Sequence, residues 1–377
     1  MPLITPNDTW ALLAVLLSAA AFGFWAEANT RWGARVSGVI VAITSTFVLS
    51  NLNVIPVTAP VYDIVWSYIV PLAIPLLLFK ADLRRIVREA GPTLVAFGCG
   101  AVGTVLGTLL AFAVVPLPND GWRLAGIFAA TFVGGSLNYA GAAEALGLRS
   151  GDLLTAGVAA DNLVMTLYFL VLFTLPSVAV LRRYYPERHT VGTPATVAAG
   201  LAADPITVPS MMTSLAIAAV CCGLGYTLAS AFGWDGGGIL LLTALAVAAA
   251  TTLPSRLGRL GGAQEIGTVM MQLFFATIGA SANIAVVIRT GPALFLFAAV
   301  ILSVHLLFLL AAGALLKLDL AEIVVASNAN AGGPTTAAAM ATARGWHGLV
   351  IPAILCGTLG YATATFVGVA LGSWLGP

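Results

Sequence analysis

Apolar residues run through this chain in long blocks divided by short polar punctuation. The blocks cover 10–27, 36–51, 60–79, 92–115, 122–147, 150–181, 208–232, 237–253, 264–288, 291–316, 321–345 and 347–375. Most approach the ~20 residues a helix needs to cross a bilayer. The pattern predicts about twelve crossings. Seven of the eight tryptophans, all but Trp66, sit at block ends, where an amphipathic ring settles among headgroups.

Two blocks are interrupted. The run from Ala326 to Gly345, ASNANAGGPTTAAAMATARG, gathers Ser327, Asn328, Asn330, Gly332, Gly333, Pro334, Thr335 and Thr336 inside helix-compatible sequence. Paired glycines followed by a proline break the backbone ladder, and freed N–H and C=O groups survive in a membrane only where they line a cavity or lie within protein. The first half holds a partner, VGGSLNYAGAAEALG at Val133 to Gly147. Its Gly134, Gly135 and Gly147 align with Gly332, Gly333 and Gly345. Upstream of each break, GPTLVAF at Gly91 to Phe97 matches GPALFLF at Gly291 to Phe297. Matched interruptions in two halves point to the binding site of a secondary transporter. The predicted fold is therefore an all-α polytopic membrane protein of two inverted repeats, each with a broken helix. Residues 1–188 form the first repeat, 189–209 a linker and 210–377 the second repeat.

Charge sets the expected orientation. In the first half Arg31, Arg35, Lys80, Arg84, Arg85, Arg88 and Arg149 fall in alternate loops and mark the cytoplasm, which leaves the N-terminus outside. Twelve simple crossings would nevertheless make the two broken helices parallel. Inversion needs an odd number of steps, and the segment 191–206 is the candidate for a further crossing. No basic run precedes the first apolar block, so a retained first helix is expected rather than a cleaved leader.

Composition narrows the function classes. Charged residues are 8% of 377, apolar residues 60%, and mean hydropathy is +1.01. A net charge of +1 gives no footprint for nucleic acid. The four cysteines lie in apolar runs without metal-ligand spacing and read as packing residues. Gly98, Gly100 and Gly103 fit a dinucleotide fingerprint, but no strand precedes them, so they read as small residues for close helix packing. No nucleophile elbow, zinc helix or phosphate loop is present, so neither an enzyme nor a cofactor is expected.

Candidate chemistry concentrates near the breaks. Asp161, with Asn162, sits in the block after the first break, and an intramembrane carboxylate by default marks an ion or proton site. As a hard oxygen ligand beside freed carbonyls, Asp161 is also the candidate metal ligand, for sodium. Gly134, Gly135, Ser136, Asn138, Asn328, Asn330, Gly332, Gly333, Thr335 and Thr336 are the candidate solute-binding residues, with helix capping as the plainer role for the polar ones. His305 precedes the second break and is a candidate proton carrier, with a neutral structural histidine as the alternative.

The break motifs, the Asp161-Asn162 pair, PLLLFKADLRRI at Pro75 to Ile86 and FFATIGASANI at Phe274 to Ile284 together resemble the YjcL-type membrane proteins, a domain-of-unknown-function family. That family is grouped with the cation/proton antiporter and anion transporter superfamily. The resemblance implies an NhaA/bile-acid-symporter-like elevator fold in which the two broken helices cross. Blocks 92–181 and 291–375 would form a moving core, with 10–79 and 210–288 as scaffold and homodimer contact. It further implies a transporter of a small polar or anionic organic solute in the inner (plasma) membrane, driven by sodium or protons. A sodium/proton antiporter without organic substrate is the alternative. A membrane sensor or assembly factor is disfavoured, having no use for duplicated breaks.

Overall fold

The apolar blocks fold as helices, and no strand occurs among the described residues. A helix satisfies its backbone groups within its own segment, which hydrocarbon demands. The structure, a computed structural model, describes residues 2–36, 38–118, 120–186, 188–189, 205–234 and 237–377. The first half of the chain contributes α1 (Thr9–Asn29), α2 (Gly38–Asn51), α3 (Pro60–Leu78), α4 (Leu83–Glu89), α5 (Gly91–Val114), α6 (Gly121–Gly134), α7 (Leu137–Ala145) and α8 (Gly151–Thr174). The second contributes α9 (Val208–Ala231), α10 (Gly237–Thr252), α11 (Ala263–Ala280), α12 (Ile284–Leu315), α13 (Leu320–Gly332), α14 (Pro334–Ala343) and α15 (Val350–Leu375). Among the described residues, seven helical segments are long and apolar enough to cross a membrane, and α2 and α10 are apolar but shorter. The chain is a multi-pass membrane protein.

The two interrupted blocks differ from the expectation in one decisive respect. They do not continue across the bundle after the break. In the first, α6 packs antiparallel to α15, Gly126 lying against Gly368 and Gly134 against Gly360. The chain then turns back: Gly141 meets Thr365, Leu146 approaches both Gly126 and Gly372, and Arg123 Nη1 donates to the Gly147 carbonyl at 3.1 Å. In the second, Asn328 Nδ2 reaches Met340 Sδ at 3.3 Å, and Thr336 donates to Asn328 Oδ1 at 2.7 Å. Residues twelve apart in a continuous helix would be about 18 Å apart. Both blocks are therefore re-entrant helical hairpins, α6–α7 and α13–α14, and the expected crossing broken helices are corrected accordingly.

The hairpins also remove the parity conflict. A hairpin returns to the end it entered from, so it contributes no crossing. Helices α5 and α12 consequently run antiparallel, with Gly103 against His305 and Gly107 against Ile301. The hairpin that follows each enters from the opposite end to the other. No additional crossing in 191–206 is required; most of that segment lies outside the described residues.

One end of the bundle is basic. It is fixed by Lys80 Nζ on Gln264 Oε1 at 3.0 Å, Leu83 N on Thr251 Oγ1 at 3.2 Å and Ser210 Oγ on the Gly261 carbonyl at 2.7 Å. Of the sixteen lysines and arginines, only Arg123, Arg149 and Arg289 belong to the other end. Arg149 is a correction, since the hairpin returns it to the end opposite Arg84 and Arg88. The boundary expected between 264–288 and 291–316 also moves. The turn lies at 281–283 because Asn283 Oδ1 accepts Ala285 N–H at 2.9 Å, Asn51 Oδ1 accepts Ile284 N–H at 2.9 Å, and Asp152 accepts Asn283 N–H. Helix α12 then runs through Pro292.

The helices sort into two bundles. Helices α1, α2, α3, α9, α10 and α11 pack mainly on one another, and α5–α8 pack with α12–α15. Close approach within the second bundle depends on glycine: a Cβ on Gly134 would collide with the Gly360 carbonyl, and one on Gly107 would lie 2.6 Å from the Ile301 carbonyl.

Candidate functional site

The hairpin tips meet. Gly135 adopts φ 86°, ψ 170° and Gly333 adopts φ 84°, ψ −172°, a region essentially restricted to glycine. A Cβ built on Gly135 would stand 3.1 Å from Gly333 N and 3.2 Å from its Cα. Gly134 and Gly332 end the inbound arms, and Ser136 and Pro334 begin the outbound ones.

Carbonyls freed by the first break are taken up by asparagines. Asn138 Nδ2 donates to the Gly134 carbonyl at 3.0 Å, and its Oδ1 accepts from Thr365 at 2.8 Å. Asn330 Nδ2 crosses between hairpins to the Val133 carbonyl at 3.0 Å. Asn328 and Thr336 bond to each other across the second hairpin. All three asparagines are buried. They hold the tips in shape.

A cavity of ≈ 840 Å³ leads from the basic end to both tips. Its mouth carries Lys80, Asp82 and Arg85, and its inner part is lined by Ser136, Leu137, Pro334, Thr335 and Tyr361 from the second bundle and by Gln272 and Thr268 from the first. Ser136 and Thr335 are thus the expected candidates that face the cavity. Helices α7 and α14 both begin there, and the N–H groups of Leu137, Thr335 and Thr336 have no helical acceptor. Such ends attract negative charge.

Asp161 lies on α8, one turn beyond Gly157, which packs on the Tyr139 hydroxyl of the first hairpin. Its side chain is buried, and Oδ1 has no hydrogen-bond partner among the described residues. Asn162 donates to the Val158 carbonyl of its own helix at 2.9 Å and does not join the carboxylate. No group of three or more metal-ligating His, Cys, Asp or Glu residues occurs among the described residues.

His305 is fully buried and fully bonded. Nδ1 lies 2.9 Å from Thr104 Oγ1, Nε2 lies 3.0 Å from Ser327 Oγ, and Ser327 Oγ lies 2.5 Å from the Tyr168 hydroxyl. One proton arrangement satisfies every donor: Tyr168 donates to Ser327, Ser327 to Nε2, Nδ1–H to Thr104, and Thr104 to the Phe132 carbonyl at 3.1 Å. A neutral imidazole therefore ties α5 and the first hairpin to the second. Ser327→Ala leaves Nε2 and the Tyr168 hydroxyl unmatched in a dry core, so a loss of about 1–3 kcal/mol is expected. Denaturation midpoints in detergent measure it, and an unchanged midpoint refutes the bracing role.

Sequence reasoning missed Thr104 and Tyr168, whose partners come from distant helices, and also Gln272 and Tyr361. Gln272 carries a faint signal as the sole polar residue in MMQLFF.

Two comparisons with known proteins bear on this site. A family model described as "Protein of unknown function (DUF819)" matches residues 14–376. The chain is 37% identical over 392 residues to "Uncharacterized membrane protein YjcL" of Bacillus subtilis (strain 168), covering 99% of this chain and 98% of that protein.

Proposed function

The chain belongs to the DUF819 family of membrane proteins, and from that premise we propose that it is a secondary active transporter of a small polar or anionic organic solute. One observation carries the reading. Two re-entrant hairpins enter from opposite ends and touch at Gly135 and Gly333, at the inner end of a cavity open to the basic end. Tips of this kind place helix N-termini and bare backbone deep in a membrane, where they serve a solute and little else.

In this reading the halves 1–188 and 210–377 are inverted repeats. The basic end is cytoplasmic by the positive-inside rule, and the membrane is the inner (plasma) membrane. The cavity then represents the inward-open state. Solute binds at Ser136 and Thr335, and the hairpin-bearing bundle carries it outward by sliding against the first bundle, which stays fixed and forms the contact of a homodimer. Asp161 supplies coupling by taking up a sodium ion or a proton, since an unpartnered buried carboxylate has a strong demand for positive charge.

Counterflow in proteoliposomes tests this. Vesicles preloaded with millimolar unlabelled carboxylates are expected to accumulate the labelled compound at least 10-fold above empty vesicles. Absence of counterflow for every solute, together with sodium-driven proton movement, would instead establish the antiporter without organic substrate, which the orphan oxygen of Asp161 also accommodates.

A further inference from the structure

The cavity has two chemically distinct poles. At the hairpin tips the cavity is lined by donors: the N–H groups of Leu137 and Thr335, and the hydroxyls of Ser136, Thr335 and Tyr361, which have no hydrogen-bond partner among the described residues. On the inner walls three donors are already spent. Gln272 Nε2 donates to the Gly38 carbonyl at 2.7 Å, which leaves Oε1 without a partner, although the residue is only 4% exposed. Thr268 donates to the Gln264 carbonyl at 2.8 Å and Thr358 to the Ile354 carbonyl at 2.7 Å. Each of these three groups can now only accept.

Charge bounds the solute further. Each helix N-terminus is worth about half an elementary charge, so two converging termini match about one negative charge. Lys80 and Arg85 stand at the mouth, and no lysine or arginine lines the inner part. The accepting pole is neutral, because among the described residues the only carboxylate in the lining is Asp82, also at the mouth. It suits a hydroxyl better than an ammonium, which would go unpaired there. Leu77, Met271 and Phe275 fill the wall between polar groups and leave room for a short carbon skeleton.

We infer that the solute is a small hydroxylated monocarboxylate, its carboxylate held at the tips by Ser136 and Thr335 and its hydroxyl donated to Gln272. This rests on the transporter reading and specifies its substrate class. A site built to accept a hydroxyl proton discriminates strongly against an analogue lacking it, because Oε1 then faces the solute unmatched. An amino group in place of the hydroxyl brings a full charge to a neutral pole. A neutral polyol lacks the anion.

Binding to the purified full-length protein in nanodiscs tests the inference, with lactate and 3-hydroxybutyrate set against propionate, butyrate, alanine and glycerol. The hydroxy acids are expected to bind at least 10-fold more tightly than the matched acids without hydroxyl, with alanine and glycerol weaker still. Gln272→Leu should bring the hydroxy-to-deoxy ratio close to one while carboxylate binding persists. Thr268→Val, which removes an acceptor with little change of shape, should reduce the ratio less and guards against a misfolded Gln272 variant. Equal affinity for lactate and propionate in the parent, or tighter binding of alanine or glycerol, overturns the hydroxycarboxylate assignment and leaves transport standing. No binding by any carboxylate, together with no counterflow, overturns both.

Discussion

Alanine at Gly135 or Gly333 is expected to abolish solute transport and to lower stability by about 2–4 kcal/mol. Backbone strain alone contributes about 1–3 kcal/mol, because φ near +85° with ψ near 180° is closed to residues bearing a Cβ. The clash adds to it. A Cβ on Gly135 meets the backbone of Gly333, and one on Gly333 lies 2.9 Å from the Tyr361 hydroxyl. The tips resist parting, since Asn330 of the second hairpin holds the Val133 carbonyl of the first. Melting in detergent and counterflow in proteoliposomes measure the two losses. Gly98→Ala is the control, because nothing lies within 4 Å of its added carbon. A tip variant with parental stability and transport would show that the tips are not the fixed meeting point described here.

Asp161→Asn is expected to remove concentrative uptake while counterflow survives. The substitution keeps the side-chain shape and removes the charge that coupling requires. Uptake driven by a sodium or proton gradient should fall at least 10-fold, and exchange of solute at equal concentrations should change by less than about 3-fold, a difference of under ~0.7 kcal/mol. Stability should not fall, since the carboxylate it replaces is buried without a partner for Oδ1. Measuring uptake with each gradient imposed separately identifies the ion. If the variant still concentrates solute, coupling resides elsewhere and Asp161 is a structural acid.

The candidate site was half legible. Glycine pairs, flanking asparagines and a lone intramembrane carboxylate stand out in apolar sequence because each is expensive there. Their division of labour does not stand out. Ser136 faces the cavity while Asn138, two positions on, is buried against Thr365, and that difference depends on where α15 lies. His305 is a titratable residue beside a break when read along the chain. In the fold, Thr104, Ser327 and Tyr168 occupy its nitrogens and make it a brace.

The sequence by itself determined the helices, their approximate ends and the positions of both interruptions. These follow from local physics: apolar length, the conformational freedom of glycine, proline's missing N–H, and side-chain caps such as Ser150 and Asp319. Only the tertiary structure decided what the chain does after each interruption. A glycine at φ near +85° permits a reversal as readily as a bend. The return of α7 is selected by Tyr139 on the Leu154 carbonyl, Asn138 with Thr365, and Leu146 against Gly126 and Gly372. That choice removes one crossing and places the arginines largely at one end. It also brings two distant glycines into contact, because such partners are set by packing between helices and leave no trace in the local pattern.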